Sequence, residues 1–136
     1  MTLLAAPKFQ EGVFSALSAD PDLSLMLAGL YDEAPAGARY PYLAMGETSL
    51  AEGDLKDRRG GKLVFDLFLW SDEASQMQVK ELMAATDKVM QAADISVLDH
   101  DLITLRLVSA SVVRQWNEAG SLYRGRLSYS ALLYAV

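Results

Sequence analysis

The side chains able to do chemistry in this chain are few and scattered. His100 is the sole histidine, and it stands between Asp99 and Asp101, just ahead of a run of apolar residues. A metal site or a general base needs convergent partners. A lone loop histidine between two acids reads as a solvated residue. Cysteine is absent, which removes disulfides, thiolate chemistry and cysteine-based zinc sites together. Glu47 with Glu52, or Asp32 with Glu33, could be posed as acid–base pairs, but nothing fixes their separation. The serines have no histidine partner with a carboxylate to orient it, so a serine triad is not indicated. No catalytic residue, metal ligand or cofactor site is assigned.

Charge and aromatic residues say more than nucleophiles do. Lys56, Arg58 and Arg59 cluster with Asp54 and Asp57 in a polar stretch, SLAEGDLKDRRGG, from Ser49 to Gly61. Two readings stay open: a contact arm, with Arg58, Arg59 and Lys62 able to meet phosphate, or a solvated loop. Arg59-Gly60-Gly61 is not a phosphate-binding glycine loop, since the P-loop lysine spacing and the strand-to-helix context are missing. The chain carries a net charge of −6, which argues against duplex DNA as a tight ligand. Trp70 ends an apolar strand and reads as core. Trp116 ends a second long strand beside a turn, where a protein interface and core packing are equally open. Arg124 and Arg126 share a strand face with Leu132 and Tyr134. A face that is basic at one end and apolar at the other points to a protein partner.

These residues must be positioned by elements that the hydropathy pattern outlines. The 136 residues make one domain's worth of chain, and a single domain over 1–136 is expected, with an exposed loop or arm at about 49–61. The first helix is predicted from about Pro7 to Leu17, with Phe9, Val13, Ala16 and Leu17 on one face. Gly12 inside it suggests close packing against another element. Asp20 is a good N-cap and Pro21 fits the first helical position, opening a short helix with Leu23, Met26 and Leu27 apolar and Gly29 as its stop. Leu30 to Glu47 then joins a brief strand at Leu30–Tyr31 to a fuller one at about Tyr42–Thr48. Pro35 and Pro41 stiffen the crossing, and Gly37 supplies its free position. Lys62–Trp70 is a strand with both faces largely apolar apart from Asp66, so it is expected at the centre of a sheet. Ser71 or Asp72 is expected to cap the longest helix, about Glu73–Ala93, whose buried stripe is Val79, Leu82, Met83, Thr86, Val89 and Met90. Gln78, Glu81, Asp87, Lys88 and Gln91 are expected to face water. Leu102–Trp116, with Ile103, Leu105 and Leu107 on one face, pairs with Leu122–Ala135 through a hairpin turn at Gly120. In that last strand Tyr123, Leu127, Tyr129, Ala131 and Leu133 point in, while Arg124, Arg126, Ser128 and Ser130 point out. The expected architecture is α+β, with helices on one face of a mainly antiparallel sheet.

The N-terminus lacks a basic n-region and its apolar run is short for a signal peptide. No apolar stretch approaches the ~20 residues that span a bilayer, so a soluble chain with no membrane partner is expected.

Read in order, VFSALSADPDL, LYDEAPAGARYPYLAMGE and LVFDLFLWSDEASQMQVKELM resemble the tail-completion family of siphophages. This is the family of the tail terminator or tail-to-head joining protein, also found in prophages and gene transfer agents. The resemblance rests on the stretch Asp32–Glu47, on the strand ending in Trp70-Ser71, and on the helix after it. It covers the chain from about Phe9 onward. One departure stands out: the segment after the tryptophan–serine pair is acidic here, Asp72-Glu73, where the family is basic or neutral polar. The resemblance implies a lambda-type tail-terminator fold and a structural role rather than an enzymatic one. It implies a homo-oligomer, a hexameric ring that caps the head-proximal end of the tail tube and stops polymerisation. Its implied partners are the tail tube protein and the head–tail connector or stopper, with DNA passing through the lumen unread. The implied site is the virion neck, after synthesis in the bacterial cytoplasm. Tyr40, Tyr42, Lys56, Arg58, Arg59, Trp116, Arg124 and Arg126 are the candidate interface residues. Another connector or head-completion protein is the alternative, and a small ligand-binding domain a more distant one.

Overall fold

A computed structural model describes residues 2–54 and 56–136. Helix α1 spans Thr2–Ala19 and α2 spans Pro21–Met26, followed by β1 (Gly29–Tyr31), β2 (Tyr42–Glu52) and β3 (Gly60–Ser71). Helix α3 (Met77–Ala92) then leads to β4 (His100–Asn117) and β5 (Gly120–Ala135). The strands form one sheet in the order β1-β2-β3-β5-β4. Every pairing is antiparallel except β1 with β2. The expected α+β architecture is the observed one, with β3 at the centre.

The core lies between the sheet and the helices. From α1 come Phe9, Val13 and Leu17; from α3 come Val79, Leu82, Met83 and Met90. They meet Leu63, Phe65, Leu67 and Leu69 of β3 and Leu127, Tyr129, Ala131 and Leu133 of β5. Phe65 stacks on Tyr129 at 5.5 Å and takes the edge of Phe9 at 5.4 Å. Tyr129 is buried, and its hydroxyl donates to Asp87 Oδ1 at 2.7 Å. Burial, then the Asp87 bond and charge, push the Tyr129 phenol well above its ordinary range. Two glycines let side chains pack directly against the backbone. A Cβ on Gly12 would lie 2.5 Å from Ile95 Cγ2, and one on Gly125 would lie 2.6 Å from Met83 Sδ.

Asp20 caps α2 as expected, its Oδ2 accepting from the Leu23 N–H at 2.8 Å. Several boundaries differ from expectation. Helix α1 starts at Thr2 with Pro7 inside it; the missing proline N–H frees the Leu3 carbonyl, at an exposed residue where water can serve it. Helix α2 ends at Met26, and Gly29 opens β1 instead of stopping the helix. Helix α3 starts at Met77, because the buried Ser71 hydroxyl accepts from Glu73 N–H and donates to Gln78 Oε1, closing a turn in place of a cap. Gln78 and Asp87, expected in water, are half-buried and bonded inward. Strand β2 continues to Glu52 and β3 begins at Gly60, so the loop expected at 49–61 shrinks to the residues between them. Ile103 is 50% exposed rather than facing inward, because the register shifts between Leu102 and Thr104 and turns it outward. The β4–β5 turn has Gly120 at φ +128 as expected, with Asn117 Oδ1 accepting from Ala119 N–H at 2.9 Å. Among the described residues, no helix is long and apolar enough to cross a membrane.

Candidate assembly surface

The helices cover one face of the sheet, and the other face carries the candidate surface. Pairing registers set its rows. Tyr42, Trp70, Arg124 and Val113 lie side by side across four strands, and Ala44, Phe68, Arg126 and Ser111 form the next row. Asp66, Ser128 and Ser109 follow, then Val64, Ser130 and Arg106. Directly opposed residues share a face, so alternate residues of β3 and β5 build the core and this surface from the same strands.

One end of the surface is aromatic. Tyr42 packs against Tyr40 at 5.4 Å, Tyr31 at 5.8 Å and Trp70 at 6.3 Å. The crossing that brings Tyr40 there has a cis Tyr40–Pro41 bond and Gly37 at φ +79. Burial raises the Tyr42 phenol above its ordinary range, with Tyr40 and Tyr31 adding to the shift. Beside this cluster the Arg124 guanidinium lies 4.9 Å over the Phe68 ring, a cation–π contact. The Arg124 Nε is shielded from water and has no partner among the described residues. Arg126 Nε donates to Asp66 Oδ2 at 3.0 Å. Asp66 is buried while Arg126 is half open, so the cation at the surface answers a carboxylate held within the sheet.

The structure therefore gathers four of the candidate interface residues, Tyr40, Tyr42, Arg124 and Arg126, on one face. The other four lie elsewhere. Lys56 and Arg59 are exposed in the β2–β3 connection, at the far end of the sheet. Arg58 is pinned: its Nη2 bonds Asp101 Oδ2 at 2.6 Å, its Nε donates to the Ala135 carbonyl at 2.8 Å, and its guanidinium stacks over Tyr134. Gly60 N–H donates to Asp54 Oδ1 at 3.1 Å, and Ala135 N–H to the Arg59 carbonyl at 2.7 Å. The connection expected as an exposed loop or arm is thus tied to β5 and the start of β4. Trp116 is 70% exposed beside the β4–β5 turn, with Arg114 5.0 Å over its ring.

Phe68 and Trp70 belong to this surface, although the sequence placed Trp70 in the core. The signal available was Asp66: a carboxylate on the even-numbered face of β3 marks that face as the one no helix covers. His100 donates from Nδ1 to the Leu98 carbonyl at 2.9 Å, so it is held by the backbone rather than freely solvated. It borders an open cleft of about 530 Å³ with Asp94, Ser96 and Asp101. A second cleft, about 1130 Å³ between α1 and the β2–β3 hairpin, is lined by Phe9, Val13, Met45, Leu63 and Phe65. Glu47 and Glu52 stand exposed on β2, and Asp32 and Glu33 lie exposed in the crossing. Among the described residues, no three carboxylate or histidine groups gather as a metal site.

Solved structures share this architecture, and two of them illustrate it. A chain in the structure titled "Virion of native gene transfer agent (GTA) particle" superposes with a TM-score of 0.83 and 25% identity, over 96% of this chain and 98% of that one. Bacteriophage SPP1 gp17 protein superposes with a TM-score of 0.66 and 16% identity, over 98% of this chain and 91% of that one. At that lower identity the likeness concerns the fold alone. The fold defines the class, an α+β subunit with helices on one face of a mainly antiparallel sheet, as in these two structures. The chain belongs to the tail completion protein gp17 family, whose model matches residues 11–134. No curated protein sequence matches it. Membership gives the protein a structural role in tail completion.

Proposed function

We propose that the protein is a tail terminator: a ring of copies, six by the family resemblance, that caps the head-proximal end of a tail tube. The ring ends tube polymerisation and presents a surface to the head–tail connector. The observation that carries this reading is the likeness to the gene transfer agent virion chain over nearly the full length of both chains. An open sheet face with an aromatic cluster and flanking arginines supports it, since aromatic residues and arginine are enriched at protein interfaces. That face is suited to the tube protein or the connector.

The role is structural, without catalysis, a reading that membership of a tail completion family supports. DNA passes through the lumen unread. The net charge of −6 fits this, because a lumen that held phosphates tightly would impede passage. The protein resides in the neck of the particle after synthesis in the bacterial cytoplasm, and it acts as a single domain. Removing the gene should leave tails of uncontrolled length that do not join heads, visible by electron microscopy. Tails of normal length, joined to heads, in particles lacking the protein would refute the reading.

A further inference from the structure

The sheet ends in two free edges of unlike kind. Strand β4 lies at one end of the strand order, and among the described residues none of its backbone groups from Asp101 to Asn117 bonds any segment but β5. At the other end, β1 covers β2 only from Tyr42 to Ala44. Among the described residues, Met45–Glu52 therefore forms a second free edge, paired on one side with β3 at Met45 and again from Thr48 to Glu52, with a register shift at Gly46 and Glu47 between them. Native proteins blunt such edges with charge, proline or a covering element, because a bare edge templates pairing with another chain. Strand β4 has register shifts near its start, but it also carries exposed Ile103, Val108, Val113 and Trp116.

The two edges are opposite in charge. Met45–Glu52 contains Glu47 and Glu52 and no cation, while Asp101–Asn117 contains Arg106 and Arg114, and its one carboxylate, Asp101, is already bonded to Arg58. Both glutamates and both arginines are exposed. Pairing β4 with β4, or β2 with β2, would set like charges together; pairing β4 with β2 sets opposite charges together. Chain direction agrees. Strands β2 and β5 run one way, β3 and β4 the other. Rotation about an axis along the strands preserves direction, so β4 of one copy would meet β2 of the next antiparallel.

We propose that β4 of each subunit pairs antiparallel with the Met45–Glu52 edge of the next copy, continuing the sheet from subunit to subunit. This rests on the reading of the protein as a ring. It names the contact that closes it, since a head-to-tail contact leaves one edge of each kind unused until the ring closes.

Charge exchange tests it in the cell that makes the particle. Variant one carries Glu47→Lys and Glu52→Lys; variant two carries Arg106→Glu and Arg114→Glu. In each, both edges bear one sign, and each alone should lose head-joined tails. Produced together, each can pair only with the other, and joined particles should return. All four substitutions in one chain should also restore them. Thermal melting of the purified variants, expected near wild type at these exposed positions, checks folding. Full activity of either variant alone, or no rescue on co-production of folded variants, overturns the edge pairing and leaves the ring reading intact. Normal joined tails without any copy of the protein would instead overturn that reading itself.

Discussion

The covered and open faces of the sheet draw on alternate residues of the same strands, yet they are built by different rules. Leu63, Phe65, Leu67 and Leu69 face the helices, and each is almost wholly buried. Lys62, Val64, Asp66, Phe68 and Trp70 face away, and only Asp66 among them is buried. The covered face is apolar, with Gly125 of β5 where Met83 and Val79 of α3 press on the sheet. The open face combines a tyrosine–tryptophan cluster with an arginine over a ring and a second arginine on a carboxylate. Burial of apolar area holds the first together; the second holds features that a partner would complete. Strand alternation thus sets the folding face and the candidate assembly face within a few ångströms of each other along the chain.

The largest test sets Leu67 against its neighbour Phe68. Leu67→Ala should cost about 2–5 kcal/mol, measured by urea unfolding of the monomer. Phe68→Ala should cost about 1–2 kcal/mol, because the ring is half open. Equal losses would mean that the open face is as structural as the core. Gly125→Ala should come next, at about 1–3 kcal/mol, as the added methyl displaces Met83 and α3 from β5. A neutral result in the same unfolding assay would show that α3 rides loosely on the sheet.

Arg126→Ala leaves the buried Asp66 carboxylate without its partner and should cost about 1–2 kcal/mol. Asp66→Asn together with Arg126→Ala should recover much of that loss, and failure to recover it would assign Arg126 a packing role instead. Tyr129→Phe should cost about 1 kcal/mol through loss of the Asp87 bond. Its pH dependence has a definite sign. The folded phenol titrates above the ordinary value near 10, so the neutral form is favoured in the fold. That stability is present below about pH 10 and falls as pH rises beyond the unfolded value. Unfolding followed from pH 8 to 11 should decline less steeply in Tyr129→Phe, and identical slopes would rule the linkage out. The smallest effect on the monomer is expected from Tyr40→Ala with Tyr42→Ala, about 1 kcal/mol or less. Incorporation of that variant into particles should fall more than its stability does. Parallel losses would place the cluster with the core.

Most of the architecture was legible because its signals are local. Alternation marked β3 and β5, the aspartate–proline pair marked α2, and Gly120 marked the hairpin turn. What escaped was set by tertiary contacts. Ser71 looked like a helix cap, but burial let its hydroxyl bond Gln78 and close a turn. Ile103 matched Leu105 and Leu107 by spacing, and a bulge that spacing does not show reversed it. Trp70 looked like core by size, yet it sits on the face that no helix reaches. The candidate surface was half legible. Tyr40, Tyr42, Arg124 and Arg126 were named from sequence, but only the register of four strands shows that they meet. Arg58 looked like a free contact and is instead a fastening between the β2–β3 connection and the C-terminal strand.

Strand β1 is three residues long, and its brevity has a geometric consequence. Ala28 N–H bonds the Pro41 carbonyl at 2.7 Å, so the small strand is fastened where β2 begins. A strand docking along β2 runs toward Tyr42 and meets β1 at Ala44. It cannot slide two residues further in that direction, the smallest slip that keeps side chains on their proper faces. Under the edge pairing proposed above, a stop of this kind would limit the axial offset between successive copies, and axial offset is what separates a flat closed ring from a climbing filament.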